Sequence, residues 1–173
     1  MKKEVQNLVY IAVSSTLISI FSQLIIPLPS GVPLTLQTFM IALIGCIFGS
    51  ARGVISVLVY IAVGAVGAPV FTGFQGGLGA LFGVTGGFII GFIPLAFMCG
   101  INTKSRFLKV FFAIIGVILC HLLGVLRFAD YSGDFRSAFF AASLPYIAKD
   151  IVSAAAALVI SGKIKRAISA YIT

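Results

Sequence analysis

The feature that most constrains this chain is a string of long apolar runs, each closed by a short turn, with the turns carrying most of the charge. Of its 173 residues 60% are apolar and only 9% are charged, against roughly 25% charged in soluble domains. A water-soluble fold of this size leaves too much surface in solvent to hide that apolar load. Hydrocarbon is the solvent such runs suit, and a spanning helix needs about 20 apolar residues. The runs predict six spans: 8–26, 36–49, 53–67, 81–100 with Pro94 inside, 107–128, and 138–160 with Pro145 near its start. Turn chemistry separates them: Pro27, Pro29, Ser30 and Gly31; Ser50 to Arg52; a Gly-rich loop over 69–79; Asn102 to Arg106; and a polar loop over 129–136. The expectation is an all-α integral membrane protein, one membrane domain over residues 1–173. Its first span reads as retained, because its apolar run continues to Ile26 without a small-residue cleavage site.

Charge sets the orientation. With both termini in the cytoplasm, Lys2, Lys3, Arg52, Lys104, Arg106, Lys109, Lys163, Lys165 and Arg166 all lie inside, opposed only by Glu4, for a net +8. Outside, Arg127, Arg136 and Lys149 balance Asp130, Asp134 and Asp150. This is the positive-inside pattern, and it predicts an N-in, C-in topology. The basic excess therefore speaks for membrane lipid and not for nucleic acid, since no continuous basic face exists.

Polar side chains within apolar spans usually face a cavity or the bundle interior, because exposing them to hydrocarbon is expensive. Here they gather at the outer ends: Thr35, Gln37 and Thr38; Thr72 and Gln75; His121 and Arg127; Tyr146, Lys149 and Asp150. A small-molecule pocket near the outer face follows. Asp150 suits a ligand contact, as a carboxylate accepts hydrogen bonds from ligand N–H groups. Lys149 has two readings, a pocket contact or a snorkelling surface cation. Neighbouring helical residues point about 100° apart, so the two need not pair. Arg127 suits either a bidentate clamp on a ligand carboxylate or a surface pair with Asp130 at i+3. A lone His121 in a span is more often a structural hydrogen-bond donor than a ligand contact.

Several chemistries are excluded or weakened. Cys46, Cys99 and Cys120 lie singly in apolar segments and imply no metal site. No resident cofactor is expected. The glycine-dense stretch lacks the Lys-Ser/Thr of a nucleotide-binding loop. The rows Gly45-Gly49-Gly53 and Gly83-Gly87-Gly91 suit close helix packing, while Gly73 to Gly79 suits a lid or backbone contact with a ligand. In span 1, Ala12 and Thr16, like Ser15 and Ser19, are small residues four apart, fit either for internal packing or for docking another membrane protein. With one His and four acids, and neither an HExxH motif nor a Ser-His-Asp arrangement expected, no catalytic residue is nominated and a membrane enzyme is a remote alternative, as is a purely structural subunit.

The run Val32-Pro33-Leu34-Thr35-Leu36-Gln37-Thr38 is distinctive, and so are Gly67-Ala68-Pro69-Val70-Phe71, Gly76-Gly77-Leu78-Gly79 and Thr85-Gly86-Gly87-Phe88. In this order and spacing they resemble the BioY family, the biotin-binding S components of energy-coupling factor (ECF) vitamin importers. The resemblance implies a six-helix S-component fold in a bacterial or archaeal plasma membrane, with a pocket under the loops after spans 1, 3 and 5. It implies a partner assembly of one transmembrane T component and two ATPases, so that this chain binds but breaks no bonds. Docking in the family uses an AxxxA pattern on span 1, matched here by Ala12 and Thr16. Asp150 carries over as a ligand residue. The Lys that follows the family's Asp by three positions does not, since Ser153 stands there. Arg127 occupies a place where the family tends to have an aromatic residue. The implied substrate-binding set is Asp150, Lys149, Arg127, Gln75, Thr35, Gln37 and Tyr146. The implied ligand is biotin, with lipoate as the alternative because it shares the valerate tail.

Overall fold

The computed structural model describes residues 2–26 and 33–172; the turn at Pro27, Pro29, Ser30 and Gly31, together with Val32, lies outside the described residues. In chain order the elements are α1 (Lys2–Ser22), β1 (Ile25–Ile26), β2 (Leu34–Thr35), α2 (Gln37–Phe48), α3 (Ser50–Ala65), α4 (Leu78–Phe82), α5 (Gly86–Cys99), α6 (Arg106–Ser132), α7 (Phe135–Ala142) and α8 (Leu144–Ile172). Six principal helices (α1, α2, α3, α5, α6 and α8) take the places of the six apolar runs. The fold is the mostly helical membrane architecture expected.

Their lengths differ in a consequential way. Three described helices, α1, α6 and α8, are long and apolar enough to cross a bilayer on their own. The 16-residue α3 falls short at about 24 Å, and the 12-residue α2 and 14-residue α5 fall shortest, reaching only about 18–21 Å at about 1.5 Å per residue, against a hydrocarbon core of about 30 Å. These two short helices occupy the middle. α2 packs on α1, α3, α5 and α8, and α5 packs on α2, α3 and α6. Their ends are level on the basic side, where the Ser50 N–H donates to the Gly100 carbonyl (3.1 Å) and the Ser50 hydroxyl to the Phe97 carbonyl (2.8 Å). They therefore stop short on the opposite side and leave a well there.

Glycine makes this centre possible. A Cβ on Gly45 would lie 2.6 Å from the Ala96 carbonyl oxygen, one on Gly87 2.2 Å from that of Leu123, and one on Gly91 2.8 Å from the Cys120 Cα. The expected packing role of the glycine rows thus holds for α2 against α5 and for α5 against α6. Gly83 is different: it lies at the C-terminus of α4, outside α5.

The periphery is built for lipid. Along α6, Ala113, Gly116, Val117, Cys120, His121 and Gly124 are buried, whereas Phe107, Phe111, Ile114, Ile118, Leu122 and Leu126 form an exposed apolar stripe. A helix apolar on every face suits a hydrocarbon surround.

Four expected boundaries move. α1 ends at Ser22, and Ile25–Ile26 pairs antiparallel with Leu34–Thr35; a short apolar strand cannot be told from a helix end by hydropathy. The single span over 81–100 is two helices separated at Gly83 to Thr85. The loop over 129–136 is largely helical: α6 runs to Ser132 and stops where Gly133 turns left-handed (φ 73°). Asp134 then caps α7, accepting from the N–H groups of Ser137 (2.8 Å) and Arg136 (3.2 Å), and these bonds hold its exposed carboxyl below the ordinary carboxylate range. The last span is divided at Ser143, just before the Leu144-Pro145 step that opens α8.

Gly87→Ala is expected to lower the thermal midpoint of the detergent-solubilised protein by several degrees, since overpacking a tight contact costs about 1–3 kcal/mol. Gly162→Ala is the control: a Cβ there meets nothing within 4 Å, and it should leave the midpoint unchanged or raise it.

Candidate functional site

The well above α2 and α5 encloses a cavity of about 140 Å³. Its walls come from widely separated segments: Thr35, Gln37 and Thr38 at the start of α2, Phe71, Thr72 and Gln75 in the loop after α3, Thr85 to Phe92 along the first half of α5, and Tyr146, Lys149 and Asp150 on α8. One side is apolar and aromatic, from Phe71, Phe88, Ile89 and Phe92; the other is polar. Several first-turn N–H groups at the floor are already engaged: that of Gln37 by the Thr35 hydroxyl (3.4 Å), those of Phe88 and Ile89 by the Thr85 carbonyl (3.0 and 3.4 Å) and that of Gly86 by the Gly83 carbonyl (3.1 Å).

The polar side is organised around Asp150. Its Oδ1 forms an ion pair with the Lys149 ammonium, and its Oδ2 lies 3.1 Å from His121 Nε2. Adjacent helical residues meet here because the Lys149 stem folds back, and its Nζ also donates to the Thr35 carbonyl (2.8 Å). That bond ties α8 to β2. On the far side of the imidazole, His121 Nδ1 is 2.9 Å from the Ser143 hydroxyl. His121 thus takes the structural hydrogen-bonding role expected of it.

Ser143, His121 and Asp150 thus form a Ser-His-Asp arrangement, contrary to the expectation that the sequence held none; the three lie 22 and 29 residues apart, so no local motif reveals them. It differs from a hydrolytic triad in both contacts. There the base faces serine through Nε2 and aspartate through Nδ1; here the nitrogens are exchanged. Ser143 is also only 1% exposed and is not among the cavity-lining residues, so no substrate carbonyl can reach its oxygen.

Gln37 organises the second polar wall. Its amide donates to the Tyr60 hydroxyl (2.8 Å) and accepts from Thr72 (3.0 Å), holding the Gly-rich loop against the bundle. Gln23 clasps the same loop from α1's end: its amide donates to the carbonyls of Val70 (3.2 Å) and Phe71 (3.0 Å) and accepts from the Phe74 N–H (2.8 Å). The turn uses left-handed backbone at Gly73 (φ 72°) and at Phe74 (φ 58°). Phe71, Thr72 and Gln75 of this loop border the cavity, a position open to both readings of it, lid and backbone contact with a ligand.

Of the expected site residues, Asp150, Lys149, Gln75, Thr35, Gln37 and Tyr146 all border the cavity. Arg127 does not. Its guanidinium donates to the Phe82 carbonyl, pairs with Asp130 at 3.3 Å and lies over the Tyr131 ring at 5.2 Å. The surface-pair reading holds for it, and its added contact clasps the end of α4. The lining that polarity failed to nominate is aromatic: Phe71, Phe88 and Phe92, with Thr85. On α1, Ser15 is buried and donates to the Ser56 carbonyl (2.8 Å), whereas Ala12 and Thr16 lie on the exposed face. The two small-residue pairs are thereby separated, one for packing and one open to the surround.

Comparison with known proteins adds an independent line. Residues 1–170 match the family model described as the BioY family. The chain is similar to the probable biotin transporter BioY of Pyrococcus horikoshii, with 40% identity over 78% of this chain and 81% of that one. It is 36% identical to the biotin transporter BioY of Rhodobacter capsulatus over 90% and 93% of the two chains, and 31% identical to that of Thermotoga maritima over 93% and 96%. In three dimensions it resembles the crystal structure of the S-component for biotin from an ECF-type ABC transporter, with a TM-score of 0.85, 26% identity, and coverage of 95% and 93%.

Removing one partner of a buried ion pair strands the other, commonly at a cost of about 3–5 kcal/mol, less where one partner keeps contact with water. Lys149→Met is therefore expected to lower the thermal midpoint. The double variant Lys149→Met/Asp150→Asn should recover part of that loss, measured by unfolding of the ligand-free protein.

Proposed function

The chain belongs to the BioY family, and from that premise we infer that it is the biotin-binding S component of an ECF-type importer. It is a transport subunit and not an enzyme. The observation that carries the reading is the cavity at the end of the bundle opposite the basic turns, with a buried carboxylate on one side and three aromatic rings on the other. Biotin has the matching division. Its ureido ring presents two N–H donors and a carbonyl, and its sulfur ring and chain are apolar. Asp150 accepts from a ureido N–H. Lipoate has no N–H to offer that carboxylate. The polar wall and the relatives' designation as biotin transporters both favour biotin.

The basic turns give the orientation: net positive charge on one end places that end in the cytoplasm and the cavity outside. The protein is thus a single multi-pass unit of the cell membrane. Sequence offers no nucleotide-binding loop of its own, so energy comes from partners, a T component with two ATPases. The exposed Ala12 and Thr16 face of α1 is where we place the contact with the T component, since small residues let helices approach closely.

Mass spectrometry of ligand released from the purified protein is expected to find biotin. Recovery of lipoate, or failure of biotin to bind on titration, would overturn the assignment. Asp150→Asn and Asp150→Ala should weaken biotin roughly tenfold to a hundredfold, the loss of one charge-assisted hydrogen bond. An unchanged Kd would remove Asp150 from the ligand contacts. A bulky Thr16→Trp should abolish biotin uptake by the assembled transporter while leaving the isolated chain's Kd unchanged; normal uptake would move the docking surface elsewhere.

A further inference from the structure

His121 and Ser143 have no part in ligand contact as described above, yet they form a buried hydrogen-bonded pair (2.9 Å). Both are buried (4% and 1% exposed), His121 within α6 and Ser143 at the junction of α7 and α8. We propose that His121 is a positioning residue for biotin binding, fixing the plane of the Asp150 carboxylate, and that Ser143 fixes the imidazole in turn. The inference rests on the reading of Asp150 as the ligand's acceptor.

The hydrogen-bond logic is directional. A carboxylate only accepts, so His121 Nε2 carries the proton it shares with Asp150 Oδ2 at 3.1 Å. In the neutral ring Nδ1 is then bare, and it accepts from the Ser143 hydroxyl at 2.9 Å. Ser143 stands at the junction of α7 and α8, where its carbonyl also receives the Tyr146 N–H (2.9 Å), so the hydroxyl starts from a fixed backbone. Sideways motion of the imidazole is limited by Phe88, which meets it edge to face with 5.7 Å between ring centres. Phe88 has room only because position 124 is Gly: a Cβ there would come within 2.4 Å of the ring.

The consequence falls on Asp150. With Lys149 on Oδ1 and His121 on Oδ2, the carboxyl group cannot spin about its last bond. Its remaining lone pairs keep one orientation toward the cavity. Without the imidazole, Asp150 would keep the Lys149 ammonium, on a partly exposed and flexible side chain, and the Thr38 hydroxyl, and would lose the ring that fixes Oδ2. Since the imidazole itself does not line the cavity, its ring nitrogens are explained by what they hold and not by ligand contact.

The test uses the full chain freed of ligand, with biotin affinity by titration calorimetry and thermal unfolding measured together. His121→Phe, which keeps an aromatic ring without its nitrogens, is expected to weaken biotin about tenfold or more. His121→Gln, whose amide N–H can reach Oδ2, should recover most of that affinity. The His121→Phe/Asp150→Asn double variant should bind no more weakly than Asp150→Asn alone, because the histidine acts through the aspartate. Wild-type affinity in His121→Phe, no rescue by Gln, or simple addition of the two losses would overturn the proposal and make the ring structural only. Should His121→Phe fail to fold, Ser143→Ala decides: a severalfold loss that vanishes in the Asp150→Asn background supports the proposal, and any other result overturns it. If Asp150→Asn binds biotin normally, the reading of the pocket falls and this inference with it. If Asp150→Asn is weak while His121→Phe is normal, only the inference falls.

Discussion

The structure depends on two helices that are too short for the membrane they sit in. A bilayer penalises any backbone polar group left without a partner, so a short central helix is tolerable only if protein surrounds its ends. α1, α3, α6 and α8 provide that surround, and glycine at positions 45, 87 and 91 lets them and the central pair approach to backbone contact. With α2 and α5 level on the basic side, the shortfall is collected at the other end. A cavity in the hydrocarbon layer thus follows from helix length, with no need for a large void between mismatched side chains.

Once such a well exists, its polarity has to be managed. A carboxylate buried at this depth is sustainable only when paired and hydrogen-bonded. Asp150 has both, through Lys149 and His121. The same contacts serve the architecture: Lys149 carries the bond onward to the Thr35 carbonyl, joining α8 to the strand that precedes α2, while Gln37 and Gln23 hold the Gly-rich loop from two sides. The loops over the well are therefore tied to the site's own polar groups. Any change in these bonds is therefore felt directly by the loops that cover the well.

Much of this was legible in the sequence, because lipid makes polarity informative. Six of the seven nominated pocket residues border the cavity for one reason: in an apolar span a Gln, Thr or Asp has few places to be. The same logic misplaced Arg127, whose long side chain lets a charge leave the span it starts from and reach the Phe82 carbonyl. It was silent on Phe71, Phe88 and Phe92, since an aromatic residue is equally at home against lipid, core or ligand. Helix boundaries failed where hydropathy has no contrast. Ile25 and Ile26 are as apolar in a strand as in a helix, and the break at Ser143 depends on Pro145 and on a side-chain partner 22 residues away.

Ser143, His121 and Asp150 show why the residue types of a site do not by themselves name its chemistry. The three are those of a hydrolase, and their spacing is within hydrogen-bond reach. What decides is direction and access. With aspartate on Nε2, serine on Nδ1 and the hydroxyl sealed from the cavity, proton transfer from serine to the ring leads nowhere, because no substrate can meet the oxygen that would be activated. Read from the other end, the chain terminates at a carboxylate that does face the cavity. The cavity-facing end of a buried polar chain is the part that can act, and here that end is an acceptor held by His121, Lys149 and Thr38. An acceptor so held can recognise a ligand's N–H groups and release them unchanged, which is the requirement that separates a carrier from a catalyst.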